Sequence, residues 1–136
     1  MERHRMRAGT LALGVVATAW GGAAATAQQQ VTVASHIPGA RCMDLALTHE
    51  QMMDTSFSVP MRAEPRDGAP VVGTPGATVI VRDAPPTNGF FEAMLADGRT
   101  GWVEGRWLRP WRPAAGTRGT CRPAVLSNGR LGFDFR

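Results

Sequence analysis

Residues 97–108 read Asp97-Gly98-Arg99-Thr100-Gly101-Trp102-Val103-Glu104-Gly105-Arg106-Trp107-Leu108. Asp97-Gly98 is a hairpin turn signal, because glycine enters the positive-φ region that a tight reverse turn requires. Phe90 to Ala96 alternates before the turn, and Gly101-Trp102-Val103-Glu104 forms the return strand. Gly105-Arg106-Trp107 predicts a single tight turn. Leu108 to Trp111 predicts a last strand that closes the sheet.

Upstream, Thr78-Val79-Ile80-Val81-Arg82 is β-branched and predicts the best strand in the chain. Val71-Val72 begins another extended run, set off by the turn residues Pro75-Gly76. Phe57, Val59 and Met61 alternate with Ser58, Pro60 and Arg62. Pro60 has no amide hydrogen, so this strand is expected at an edge or interrupted there. Breaker-rich loops, 64–70 and 83–89, separate these runs. Five short strands within about 55 residues predict a small antiparallel barrel. The 16 glycines and 10 prolines agree with many short elements rather than a helical bundle. The expected class is therefore all-β: a five-stranded barrel over 56–112, with an N-terminal extension (28–55) and a C-terminal hairpin tail (113–136). Within the extension, Gln28 to Ala40 reads as a loose lead-in and Met43 to Met53 as a short helix or irregular segment. In the tail, Asn128-Gly129 predicts a turn between Ala124-Val125-Leu126 and Leu131-Gly132-Phe133-Asp134-Phe135. Leu131, Phe133 and Phe135 share one face of that hairpin, and Trp111 is expected to pack beneath it.

Residues 1–27 read as an export signal. Arg3, His4, Arg5 and Arg7 precede the short apolar run Leu11 to Trp20, and Ala25-Thr26-Ala27 supplies small residues for cleavage before Gln28. The apolar run is shorter than the ~20 residues of a spanning helix, so no stable membrane insertion is expected after cleavage. Periplasmic or secreted localisation follows. Without this segment, twelve arginines face ten carboxylates, a net charge of +2. The arginines read as spaced out and interleaved with Asp and Glu, which argues against a nucleic-acid partner. Their number reflects the absence of lysine. Two cysteines, Cys42 and Cys121, predict one disulfide in an exported chain that tethers the two extensions. Their spacing fits no common zinc pattern, and neither metal nor cofactor is expected.

The stretch from Val59 to Arg109 resembles the bacterial SH3-like (SH3b) domains of exported proteins. Val59-Pro60-Met61-Arg62-Ala63-Glu64-Pro65 looks like their opening strand, and Gly76-Ala77-Thr78-Val79-Ile80-Val81 like the glycine-led strand that follows. Asn88-Gly89-Phe90-Phe91-Glu92-Ala93 looks like the next, and residues 97–108 match the most specific motif, with its Gly-Trp-Val core. Pro60 stands where the family usually has Asn, and Phe90-Phe91 replaces a Trp–Tyr-like pair. The resemblance covers about 50 residues and leaves both cysteines outside. It implies a five-stranded barrel that binds cell-wall peptides or other protein segments, with Phe90, Trp102 and Trp107 lining an aromatic groove.

No nucleophile–base constellation or catalytic motif occurs in the chain. Glu92 and Glu104 are expected as cross-strand neighbours on a solvated face. A non-catalytic module is the leading expectation, recognising a peptide, peptidoglycan fragment or envelope protein through that groove, with Arg62, Arg99 or Arg106 available to a ligand carboxylate. The bland reading is that Trp102 and Trp107 only pack the barrel. The competing function is a structural subunit of an envelope assembly without a small ligand, using Leu131, Phe133 and Phe135 as its interface.

Overall fold

Alternation along the chain places one set of side chains inside a curled sheet and the other set outside. The computed structural model describes Gly14, Gly21, Gly22 and residues 28–136. The expected export signal otherwise lies outside the described residues. Among the described residues there are ten strands: β1 (Val33–His36), β2 (Ala40–Leu45), β3 (Met61–Arg62), β4 (Val71–Gly73), β5 (Thr78–Arg82), β6 (Phe90–Met94), β7 (Thr100–Glu104), β8 (Leu108–Pro110), β9 (Cys121–Leu126) and β10 (Leu131–Phe135). A five-residue helix, α1 (His49–Met53), and a 3-10 turn, Gly105–Trp107, complete the elements. Thr48 caps α1: its hydroxyl accepts from the Gln51 amide while the Gln51 side chain accepts from the Thr48 amide.

Seven strands form one sheet in the order β4-β3-β7-β6-β5-β2-β8, every pairing antiparallel. Met43, Met61, Val79, Val81, Ala93, Val103 and Leu108 come from six of these strands and form one buried cluster with Val59. Such a cluster requires the sheet to curl around a single core. The curl stops short of closure, since the order ends at β4 and β8, which do not pair. The expected closed, five-stranded barrel is thus corrected to an open, seven-stranded sheet. The reason is β2. Its Met43 and Leu45 point into the core while Cys42 and Asp44 point outward, and it inserts between β5 and β8. Buried Cys42 next to buried Met43 hides the alternation, so the segment does not read as a strand. Pro60 limits its run as expected, and only Met61–Arg62 joins the ladder as β3.

The second sheet has the order β1-β9-β10. β1 lies where a loose lead-in was expected. Its ladder is broken by a shift between Val33 and Ser35, and Ile37 N–H donates to Pro123 O at 3.0 Å. β9 and β10 form the expected hairpin, with Gly129 at φ 80° in its turn. Leu131 and Phe133 face the large sheet and close a cavity of about 170 Å³ over Ile80 and Met94. The Leu131 amide donates to Ala96 O at 2.9 Å. The Cys42–Cys121 disulfide joins β2 to β9 across a Cα–Cα distance of 6.1 Å, so it ties the two sheets together. Trp111 stacks on Phe135 at 5.8 Å and Phe135 on Phe133 at 5.7 Å, which carries the aromatic contact along the same seam.

Candidate functional site

Register decides which expected site residues share a surface. On β6 and β7, Phe90 lies opposite Glu104 and Glu92 opposite Trp102. These four side chains point outward, since Ala93 and Val103 belong to the core. Arg62 of β3 lies opposite Trp102 from the other side. Trp102 therefore sits half-buried between a guanidinium and a carboxylate. Arg62 is itself directed at the loop 64–70, its Nη1 donating to Ala69 O at 2.9 Å. Glu92 accepts two hydrogen bonds from Arg82, from Nε at 2.8 Å and from Nη2 at 3.1 Å. Those bonds hold the Glu92 carboxyl below its usual range and raise the Arg82 guanidinium. Glu92 and Glu104 are diagonal neighbours across β6 and β7 on the outward face, and each is taken up by an arginine, Arg82 and Arg106 respectively.

Phe90 is corrected as a groove residue. It shares the outward face with Trp102, but only 5% of it is exposed, so it presents almost no ring surface. Phe91 is half-buried on the core face, with Arg41 Cζ 5.6 Å from its ring centroid.

Trp107 stands apart from this row. The 3-10 turn carries it over the core, where its ring meets Phe57 edge-on at 5.5 Å. Its carbonyl accepts from the Ala46 amide at 2.8 Å, which fixes the turn against the chain leaving β2. Arg106 Cζ lies 4.7 Å from the Trp107 centroid, and its Nε donates to Glu104 at 2.9 Å. The structure therefore brings together Arg62 with Trp102 and Arg106 with Trp107. Among the described residues no ring contact joins the two tryptophans. Arg99 is engaged internally, donating to Asp97 at 2.7 Å and to Val72 O at 2.9 Å.

Next to the Phe57–Trp107 contact runs an apolar groove of about 460 Å³, lined by Leu45, Leu47, Met52, Phe57, Val59 and Pro75 among others. Its banks come from α1, the approach to β3 and the loop before β5. Contributions so far apart in the chain leave no local motif, which is why the groove is not legible in the sequence. Phe57 and Val59 carry a hint, as apolar members of one alternating run. Among the described residues no three His, Cys, Asp or Glu side chains converge as a metal site would need. Likewise, among the described residues no helix is long and apolar enough to cross a membrane. The hairpin packs on Ile80, Met94 and Ala96, and both Trp102 and Trp107 keep part of their surface accessible. No protein family, no curated protein and no solved structure matches this chain.

Proposed function

We propose that the chain is a non-catalytic, exported binding module of the SH3-like (SH3b) type, which recognises a peptide, a peptidoglycan fragment or an envelope protein. The observation that carries this reading is Trp107, held beneath Arg106 and edge-on to Phe57, whose ring in turn lines the apolar groove. Flat, already immobilised rings lose little conformational entropy when an extended segment lies across them. Arg106, two-thirds exposed, is placed to meet a carboxylate of such a ligand. Trp102, between Arg62 and Glu92, offers a second, more polar contact around the sheet. The disulfide supports an oxidising compartment, periplasmic or extracellular.

The test is a titration of tryptophan emission with wall stem peptides and with proline-containing segments of envelope proteins. Saturable change that disappears in Trp107→Leu and persists in Trp111→Phe supports the reading. No change with any probe, or equal loss in both variants, refutes it. The structural-subunit alternative loses ground because Leu131 and Phe133 are spent on the chain's own large sheet, leaving Phe135 as the accessible part of that face.

A further inference from the structure

A different surface emerges when charge is followed beyond Glu104. Residues 28–104 hold five arginines against nine carboxylates, a net of −4. Residues 105–136 hold seven against one, Asp134, a net of +6. The interleaving of Arg with Asp and Glu therefore ends at Glu104. Arg109, Arg112 and Arg118 have no carboxylate within ion-pair distance among the described residues, whereas Arg41, Arg66, Arg82, Arg99, Arg106 and Arg136 each have one.

Those three guanidiniums border two neighbouring depressions. Arg109 and Arg112 line a lobe of about 470 Å³ with Pro110 and Asp44. Arg118 lines an adjoining lobe of about 270 Å³ walled by Trp111 and Phe135. Pro113 and Ala114 form the ridge common to both. Asp44 is the one carboxylate of the first lobe; it accepts from the Thr78 hydroxyl at 3.2 Å and the Arg112 amide at 3.5 Å and offsets one of the three positive charges, which leaves the guanidiniums in excess.

We propose that this two-lobed groove binds an anionic polysaccharide, with acid groups held by Arg109, Arg112 and Arg118 and a sugar ring against Trp111. A guanidinium fork matches the two oxygens of a carboxylate, and an indole face suits the C–H face of a sugar. An extended peptide fits less well. It would add to the open edge of β8, where Pro110, followed by Pro113, offers no amide hydrogens for main-chain pairing. A second copy fits less well too, since Glu64, Asp83, Glu92, Asp97 and Glu104 are each already engaged by an arginine of the same chain. A lipid surface is flat, whereas these charges line a hollow.

The test uses the purified, disulfide-bonded protein titrated calorimetrically with oligogalacturonate. Poly-glutamate, anionic phospholipid vesicles and neutral dextran are run in parallel. Saturable binding to oligogalacturonate is expected, weakening as salt rises, with dextran silent. Arg109→Gln, Arg112→Gln and Arg118→Gln should each raise Kd about three- to fivefold, the scale of an exposed ion pair. Arg66→Gln, which removes the same charge from the other half, should leave Kd unchanged. Equal weakening by Arg66→Gln reduces the effect to net charge and overturns the proposal. Tighter binding of poly-glutamate or vesicles overturns it in favour of an acidic protein or a membrane, and no saturable binding to oligogalacturonate overturns it outright.

Discussion

Gly101→Ala inserts a single methyl group where β7 packs against Met61 and Arg62 of its neighbour β3. A Cβ there would lie 2.8 Å from Met61 Cγ, 2.9 Å from the Arg62 carbonyl oxygen and 3.0 Å from Met61 Cε. Met61 has no exposed surface, so its side chain has no free space to retreat into. Restoring ordinary carbon–carbon contact requires a displacement of roughly 0.7 Å, and the Arg62 oxygen is main chain. Overpacking of this kind costs about 1–3 kcal/mol. Alanine recovers about 0.4–1 kcal/mol by restricting the unfolded chain, because Gly101 does not occupy the positive-φ region. The net expectation is a loss of about 0.5–2 kcal/mol, or a midpoint lower by roughly 3–12 °C for a domain of this size. Gly76→Ala is the matched control. Its added methyl meets nothing nearer than Thr78 O at 3.9 Å, so it should be neutral or stabilise by up to about 1 kcal/mol. Urea titrations followed by tryptophan fluorescence measure both. If Gly101→Ala is as stable as Gly76→Ala, the close packing of β3 on β7 is wrong. With it would go the placement of Arg62 beside Trp102.

Reduction of the Cys42–Cys121 bond, which spans 79 residues, should lower stability by about 4–5 kcal/mol on the chain-entropy account, read as a shift in the urea midpoint with and without reductant. Asp134 accepts from His36 at 2.8 Å and from Arg136, and these partners hold its carboxyl below the usual range. A depressed native value means the contribution is present above the unfolded pKa of about 3.9 and is lost as pH falls through the lower native one. The thermal midpoint should therefore drop below about pH 4, and Asp134→Asn should flatten that part of the profile. Phe57→Leu removes the edge-on partner of Trp107; it should blue- or red-shift the tryptophan emission and weaken binding of any groove peptide, while Phe133→Leu should leave that binding unchanged.

Where local chemistry alone set the backbone, the chain was readable. Asp97-Gly98 and Asn128-Gly129 form the expected turns, with Gly98 at φ 86° and Gly129 at φ 80°. Thr78–Arg82 is β5 to the residue, and the tight turn at Gly105–Trp107 is present. Trp111 packs on Phe135 as expected. The failures have a common origin in tertiary partners. β2 carries a buried residue on each face because β9 and the disulfide cover its outer side, and this erases the period-2 signal. β1 is exposed along most of its length and is held as a strand by β9 alone. Phe90 obeys the outward parity expected of it yet is covered, and parity says nothing about cover. The apolar groove and the lobes around Pro113 each collect residues from separate segments, so neither exists until the sheet has curled. The charge asymmetry after Glu104 was countable from the start, but averaging over the chain concealed it.

The single sulfur bridge has a consequence for how the molecule matures. The sequence contains two cysteines, so oxidation within one molecule has a single possible outcome, and no shuffling step is required to find it. The risk is of another kind. Cys42 leaves any ribosome or translocation channel well before Cys121, and during that interval its thiol can meet only cysteines of other molecules. Crowded synthesis should therefore yield covalent dimers, and slow or dilute synthesis should suppress them.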